Sequence, residues 1–261
     1  MTDRVHPLRL PLLAVWSLAP VLLLGLRALG RGWQYPDLWP QPLDWTRLAD
    51  AFANRRLTSA LLTSLGLALA VGTIGSLAGF AVARATARAS RRIGRIVTAL
   101  ALFCVVVPPM ALGVGLQVAM IGLGLSGTMG GVGLAHLIPA VGYLTLFARG
   151  VFGALDLAVE DEARTLGATR WQVLTRVTAP MLKDRLAEGL VLGALVSWGQ
   201  LAITALVGGG VVRTLPLELL AFVRSGDDQL GAAASLVLTG PPLLALGLLR
   251  VATRRSGVAG L

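Results

Sequence analysis

Six apolar stretches recur along this 261-residue chain, and each is close to the length of a membrane crossing. A bilayer core about 30 Å thick requires about 20 apolar residues in a helix. Hydrophobic residues make up 55% of the chain and charged residues only 14%, which is outside the usual range of water-soluble domains. The sequence therefore predicts an all-α integral membrane protein with six transmembrane helices. The predicted spans are residues 10–26, 57–82, 96–121, 132–152, 186–207 and 232–249.

The distribution of arginines predicts the orientation of these helices. Five arginines and no acidic residue lie between the second and third stretches, whereas residues 122–131, between the third and fourth, carry no charge. Because basic loops remain in the cytoplasm, the alternation of spans puts both termini and the loop between the fourth and fifth stretches on the cytoplasmic side. Arginines at helix ends also account for the net charge of +10, so we expect no nucleic-acid partner.

The N-terminal region, residues 1–56, is predicted to hold one transmembrane helix and an external loop. Its apolar stretch has an alternative reading as a signal peptide, because Ala28-Leu29-Gly30 loosely resembles a cleavage site. Arg27 directly before that site and two prolines within the stretch favour an uncleaved helix. Residues 44–56 follow with the pattern of a short amphipathic helix on the outer surface.

Residues 155–183 form a charged segment between the fourth and fifth stretches. Glu160 and Arg164 lie four residues apart, which is the spacing of an ion pair along one helix. Gly167 is predicted to end this helix, because glycine adopts the left-handed conformation of a helix C′ position without steric cost. The pattern thus predicts an amphipathic helix at the membrane surface. Its apolar face is formed by Leu155, Val159, Ala163 and Leu166.

A second helix is predicted to begin immediately after the glycine. Thr169 and Gln172 have the spacing of a capping box, in which the hydroxyl and the amide bind backbone N–H groups at the start of a helix. The two helices together form a rigid elbow on the cytoplasmic side. Exposure of Val159, Trp171 and Leu174 to the cytosol favours a protein-docking element over the alternative, a plain connecting loop.

The segment Asp161–Pro180 resembles the conserved loop of the permease subunits of binding-protein-dependent ABC importers, in particular those of the polyamine, ferric-iron and thiamine type. That family carries Glu-Ala-Ala, three residues, Gly, nine residues and Ile-x-Leu-Pro. This chain carries Asp161-Glu162-Ala163, Gly167 and Val177-Thr178-Ala179-Pro180 at the same spacing. Four positions depart from the family pattern, and the acidic pair at its start is the largest departure. The resemblance extends over about residues 57–249.

The resemblance implies that residues 57–261 form the importer's transmembrane domain, with five helices and a coupling loop at residues 155–183. In that family the permease forms the solute translocation pathway, and the loop sits in a cleft of a separate ATPase. The implied partners are an ABC ATPase subunit dimer, an extracytoplasmic solute-binding protein and a second permease chain, identical or homologous, in the lipid bilayer of a bacterial inner membrane. The residues implied to contact the ATPase are Asp161, Glu162, Ala163, Arg164, Gly167, Thr169, Arg170, Trp171 and Pro180.

ATP binding is predicted to reside outside this chain. A P-loop requires Gly-x4-Gly-Lys followed by Ser or Thr, and the only lysine, Lys183, follows Pro180-Met181-Leu182. We therefore expect a non-catalytic membrane subunit with no cofactor and no metal of its own, whose partner subunit binds and hydrolyses ATP.

Four polar residues are candidates for the translocation pathway: Ser197, Gln200, Gln117 and His136. Ser197 and Gln200 occupy the place of a Ser-x-Gly-Glu pattern in the resembled permeases, whereas a core histidine is the alternative for His136. No Asp or Glu lies in the middle of a stretch, which disfavours the alternative function, a secondary solute carrier coupled to ions. A membrane-embedded enzyme is disfavoured because no nucleophile with a base lies at membrane depth.

Overall fold

The computed structural model describes residues 9–30, 33, 36–39 and 43–258. Within these ranges the only β pairing is an isolated bridge between Gly30 and Leu43, so the predicted all-α class is confirmed. Both chain ends lie outside the described residues, and the cytoplasmic position of the termini stays a prediction. The helices are α1 (Arg9–Leu29), α2 (Trp45–Ala53), α3 (Arg55–Ala87), α4 (Arg91–Val106), α5 (Pro109–Gly122), α6 (Met129–Ala154), α7 (Ala158–Thr165), α8 (Arg170–Val173), α9 (Ala179–Trp198), α10 (Leu201–Val207), α11 (Leu215–Arg224) and α12 (Asp228–Val258).

Several helices of the described chain are long and apolar enough to cross a membrane. Three of them, α3, α6 and α12, qualify singly by length and composition. Two bent pairs of helices would each add one crossing if the pair forms a single span: α4 with α5, and the continuous run Arg170–Trp198 with α10. The apolar part of α1, Leu18–Leu29, is shorter than these crossings. The described residues therefore contain up to five crossings, and the predicted count of six stays a prediction.

Two of the predicted spans are broken. α4 and α5 meet at 100° around Pro108 and Pro109, where the sequence predicts a break because proline has no N–H and cannot continue a helical ladder. α9 and α10 meet at 58° around Gly199 and Gln200, which corrects the prediction of one continuous span over residues 186–207. Pro139 lies buried within α6, which continues without interruption, because packing against neighbouring helices lets membrane helices tolerate proline.

The described chain divides into two compact units. The first comprises the described residues up to Thr63 together with Thr214–Pro242, and the second comprises Ser64–Arg213 together with the chain from Leu243 onward. The predicted domain boundary between residues 56 and 57 stays a prediction.

In the first unit, polar side chains fix the ends of helices. Arg27 at the end of α1 forms an ion pair with Asp228 at 2.5 Å. The predicted amphipathic helix is present as α2, but it ends at Ala53 rather than at Arg56. Asn54 causes this early end, because its Oδ1 accepts from the backbone N–H of Arg56 at 3.0 Å and so caps the start of α3.

In the second unit, glycines let three helices approach closely. A Cβ on Gly72 of α3 would lie 2.8 Å from the backbone oxygen of Leu190 on α9, and a Cβ on Gly193 of α9 would lie 2.8 Å from the side chain of Leu144 on α6. A Cβ on Gly79 of α3 would lie 2.7 Å from Leu144 as well. Small residues commonly serve this purpose in membrane proteins, where backbones must pack closely. This contact positions α6 and α9, which lead into and out of the elbow.

Candidate functional site

The first arm of the elbow is α7, and it ends in a Schellman motif at Gly167. The backbone N–H of Gly167 donates to the Arg164 carbonyl at 3.0 Å, and that of Ala168 donates to the Ala163 carbonyl at 3.0 Å. Gly167 has a φ of +89°, in the left-handed region that favours glycine. Apart from Gly167 and its two chain neighbours, no described residue has an atom within 4 Å of the place where its Cβ would stand, so the backbone conformation alone requires glycine. The predicted turn is confirmed.

The second arm begins with the predicted capping box. The Thr169 hydroxyl accepts from the backbone N–H of Gln172 at 3.3 Å, and the Gln172 side-chain oxygen accepts from the N–H of Thr169 at 2.8 Å. The helix continues as α8 and then widens into a π-helical turn, Leu174–Thr178, before α9. Pro180 is the second residue of α9 and has no N–H, so one α-helical hydrogen bond is absent next to the π turn. The sequence did not predict the π turn, a feature that often marks functional sites.

Glu160 of α7 is buried where the elbow packs against the end of α3, with only 8% of its side chain exposed. Its Oε1 accepts from the Thr178 hydroxyl at 2.6 Å and lies 3.3 Å from Nη2 of Arg84. Its Oε2 lies 3.8 Å from Nη2 of Arg88. A buried carboxylate needs such partners, because an unpaired charge away from water is strongly unfavourable. The contacts of Glu160 therefore join α3, α7 and the π turn.

Asp161 makes a further contact with the end of α3. Its Oδ1 accepts from Nη1 of Arg88 at 2.6 Å, while Nη2 of Arg88 donates to the Leu157 carbonyl at 3.1 Å. The hydrogen bond to Asp161 raises the pKa of Arg88 above its ordinary value, as expected where a carboxylate stabilises the charged guanidinium. Ionic contacts therefore hold the first arm of the elbow to α3. We name the participating residues the α3 tether: Arg84, Arg88, Glu160, Asp161 and Thr178.

The elbow also exposes large apolar side chains, which we name the elbow patch: Val159, Leu166, Trp171 and Leu174. Leu166 is 88% exposed and Trp171 is 70% exposed. Most of the other predicted contact residues are exposed on the same elbow, and Ala163 is half-buried. The structure thus gathers the predicted residues on one element, while their contact with an ATPase stays a prediction. The exposed polar residues of this predicted set are Asp161, Glu162, Arg164, Thr169 and Arg170.

The α3 tether was not recognised from the sequence. Helical periodicity places Glu160 on the polar face beside Arg164, but the structure pairs Glu160 with Arg84 and removes it from solvent, which corrects that prediction. Periodicity describes one segment only, whereas the burial of Glu160 depends on an arginine 76 residues earlier in the chain. The available sequence signal for an ionic contact was the pair Arg84 and Arg88. They lie four residues apart in a predicted loop that contains no acidic residue.

A second polar group is buried among α6, α9 and α10. Nδ1 of His136 lies 2.9 Å from Oγ of Ser197, and Nε2 lies 3.0 Å from Oγ1 of Thr204, with all three residues 4% exposed or less. The Thr204 hydroxyl donates its one hydrogen to the Gln200 carbonyl at 2.5 Å. It must then accept from His136, so we assign the ring hydrogen to Nε2, and Ser197 donates to Nδ1.

This cluster spans the break between α9 and α10, because Ser197 precedes the break and Thr204 follows it. The structure therefore brings two predicted pathway residues, His136 and Ser197, together in the packed interior of the second unit. Gln200 lies half-buried at the break itself, and Gln117 lies half-buried on α5 with no hydrogen bond to the cluster in the described chain. No group of three His, Cys, Asp or Glu side chains in the described ranges is placed to hold a metal ion. The pathway role of the four residues stays a prediction.

Several known proteins are similar to this chain in sequence. Over 211 residues it is 30% identical to the molybdenum transport system permease protein ModB of Mycobacterium bovis, an alignment that covers 75% of this chain and 80% of that protein. Over 131 residues it is 30% identical to the sulfate transport system permease protein CysW of Synechococcus elongatus, covering 46% of each. Over 85 residues it is 34% identical to the putrescine transport system permease protein PotI of Escherichia coli, covering 32% of this chain and 30% of that protein.

Two solved structures share the fold. One is a bacterial ABC transporter involved in the import of alginate, with a TM-score of 0.70, 16% identity and 93% of both chains covered. The other is the bacterial alginate ABC transporter in complex with an alginate pentasaccharide-bound periplasmic protein, with a TM-score of 0.65, 14% identity, and 95% of this chain and 92% of that chain covered. A family model described as "Binding-protein-dependent transport system inner membrane component" matches residues 57–256. The chain therefore belongs to the family of inner membrane components of binding-protein-dependent transport systems.

Proposed function

We propose that this chain is the permease subunit of an ATP-driven importer, which forms the solute pathway and is coupled to a separate ATPase through residues 155–183. The elbow carries this proposal, because it is a stiff pair of capped helices that exposes an apolar patch and is joined to three long helices. Family membership and the relatives named as permease proteins support the same function. The alternative of a secondary carrier finds no support in these comparisons.

The elbow patch is suited to docking in a cleft of the ATPase. Leu166 and Trp171, the two most exposed residues of the patch, would lose contact with water there, and large aromatic residues commonly act as anchors in such pockets. Glu162, Arg164 and Arg170 would supply polar contacts around them. Asp161 is 57% exposed even while bound to Arg88, so it would serve both the tether and the partner surface.

Movement of the docked elbow would reach three membrane helices at once. The chain itself links the elbow to α6 on one side and to α9 on the other. The α3 tether adds an ionic link to α3 that the sequence order alone does not provide. Closure of the ATPase on ATP would thereby shift α3, α6 and α9 together, as packed helices change between discrete arrangements rather than deform continuously.

One chain supplies one elbow, whereas an ATPase dimer offers two clefts, so we propose that two permease chains assemble with the dimer. An extracytoplasmic solute-binding protein would deliver the solute from the other side of the membrane. ATP on one side and the loaded binding protein on the other would favour different conformations of the pathway, which is the requirement for directed transport. ATP would be bound by the partner subunit and no cofactor by this chain.

Reconstitution in liposomes tests this proposal. The chain, its ATPase and its binding protein should give solute uptake that requires ATP, and omission of the ATPase should abolish that uptake. Leu166→Ser should lower both ATPase association and uptake, because it removes the most exposed apolar contact of the elbow.

Val211→Ser is the matched control, because Val211 is 74% exposed and lies near Gly127, at the opposite end of α6 from the elbow. This variant should retain both ATPase association and ATP-dependent uptake. Uptake by the chain alone in liposomes without ATP would overturn the proposal.

A further inference from the structure

A cavity of about 760 Å³ lies between the end of α3 and one face of α4. We name it the basic groove, because three arginines line it and no acidic residue does: Arg91, Arg95 and Arg149. Two of these arginines come from α4 and the third from α6. The groove adjoins the α3 tether, since its wall includes the turn that follows Arg88.

Arg149 is held in place at the groove. Its Nη1 donates to the Thr86 hydroxyl at 3.0 Å, and its Nη2 lies against α4, where a Cβ on Gly94 would come within 3.1 Å. Within the described ranges, neither Arg91 nor Arg95 has a salt-bridge partner. Three guanidinium groups that line one cavity without a carboxylate give it a charge complementary to an anion, and guanidinium geometry suits phosphate oxygens in particular.

The polarity of the groove changes along α4. Arg91 and Arg95 line the end nearest the turn, and Ala99 and Leu102 line the part that follows on the same face of the helix. From Arg91 to Leu102 the helix rises by about 16 Å. A small soluble anion would use only the charged end of this length. A molecule with an anionic head and an apolar tail would use all of it.

We propose that the basic groove binds an anionic phospholipid, with the phosphate at the three arginines and an acyl chain along Ala99 and Leu102. That the groove opens on the cytoplasmic side rests on the proposed function, because the groove lies at the elbow end of the helices. Basic pockets between membrane helices on the cytoplasmic side are suited to anionic headgroups. A lipid bound there would hold the turn after α3, next to the residues through which the elbow is tethered.

Native mass spectrometry of the full-length chain from mixed lipids tests the proposal. The chain should retain phosphatidylglycerol in preference to phosphatidylcholine, and Arg95→Gln/Arg149→Gln should reduce that preference by about tenfold or more. The matched control, Arg92→Gln/Arg176→Gln, removes two charges from exposed arginines that do not line the groove and should retain the preference. Equal losses in both double variants would overturn the proposal, since they would indicate diffuse charge attraction.

A second variant keeps every charge and tests the apolar half of the groove. Ala99→Trp should weaken retention of phosphatidylglycerol, and inorganic phosphate in excess should not displace the lipid. Undiminished retention by Ala99→Trp, or displacement by inorganic phosphate, would show a soluble-anion site and overturn the lipid proposal. These measurements need neither ATPase nor solute, so their failure is distinguishable from failure of the proposed transport function.

Discussion

At the scale of single residues, Glu160 of the elbow has polar contacts with three other side chains. It accepts from Thr178 on the π turn and faces Arg84 and Arg88 on the end of α3. Asp161, the next residue, points to Arg88 as well but stays exposed. Glu160 thus holds the elbow together in the protein interior, whereas Asp161 remains available at the surface.

Replacing Glu160 with Gln should destabilise the elbow. The amide keeps the shape of the side chain but leaves Arg84 without a counter-charge, which should lower the free energy of unfolding by about 1–3 kcal/mol. Thermal unfolding of the detergent-solubilised chain measures this loss. Glu162→Gln is the control, because Glu162 is exposed and its variant should differ from the parent by less than about 0.5 kcal/mol. Equal stability of the two variants would contradict the role of the tether.

Gly167→Val should uncouple ATP hydrolysis from uptake while the chain still reaches the membrane. A β-branched residue at a φ of +89° is strained, by about 1–2 kcal/mol or more, so the corner between the two arms would change shape. Gly153→Val is the matched control, because Gly153 lies in α6 and a Cβ added there would likewise meet no atom within 4 Å beyond its chain neighbours and the nearby backbone of its own helix. Solute transported per ATP hydrolysed is the measurement. Normal coupling in Gly167→Val would contradict the lever role of the elbow.

At the scale of elements, the break between α9 and α10 is held by a small set of hydrogen bonds. Ser197, His136, Thr204 and the Gln200 carbonyl form one chain of donors and acceptors, in which each hydroxyl hydrogen has a definite partner. Discontinuous membrane helices often line solute sites, because their ends leave backbone groups available. The cluster therefore fixes the geometry of the segment that the sequence predicts to line the pathway.

Thr204→Val should destabilise this break. The isosteric change leaves Nε2–H of His136 without an acceptor inside the protein, at a cost of about 1–3 kcal/mol. Thr204→Ser keeps the hydroxyl and loses only a methyl group, so its loss should be smaller, about 1 kcal/mol. Thermal unfolding and uptake by the two variants provide the comparison. A valine variant as stable and active as the serine variant would rule out the structural role of the cluster.

Exchanging the charges of Arg88 and Asp161 tests whether the α3 tether transmits movement of the elbow to α3. Arg88→Asp and Asp161→Arg should each reduce ATP-dependent uptake, by about fivefold if the coupling is of ordinary strength. The double variant restores the ion pair in reverse and should recover much of the uptake. Recovery assigns Asp161 to the tether. A double variant no better than the worse single variant would assign Asp161 to the ATPase surface alone.

The elbow could be predicted largely from the sequence, because local signals determine it. Gly167 and the Thr169–Gln172 box act within a few residues, and the structure has both. Pro108 and Pro109 indicated the break between α4 and α5 in the same way. The break at Gly199 and the burial of Glu160 were missed, because both depend on helices that pack from distant parts of the chain.

At the scale of the whole molecule, the predicted orientation and the elbow support each other. The arginine-rich turn after α3 contacts the elbow directly, so both lie at the same end of the second unit. If that end faces the cytoplasm, as the distribution of charge predicts, the elbow lies on the side where the proposed ATPase partner would dock. The other end of the helices then faces the binding protein.

Cross-linking between the elbow and the ATPase tests whether the elbow docks in a cleft of that subunit. Cys104, the only cysteine, is first replaced by Ala, and Leu166→Cys is then introduced in the assembled transporter. A bifunctional thiol reagent should join this cysteine to an ATPase that carries a cysteine in its cleft. Val211→Cys in the same background should give no such product. A cross-link from Val211→Cys and none from Leu166→Cys would contradict docking of the elbow in the ATPase cleft.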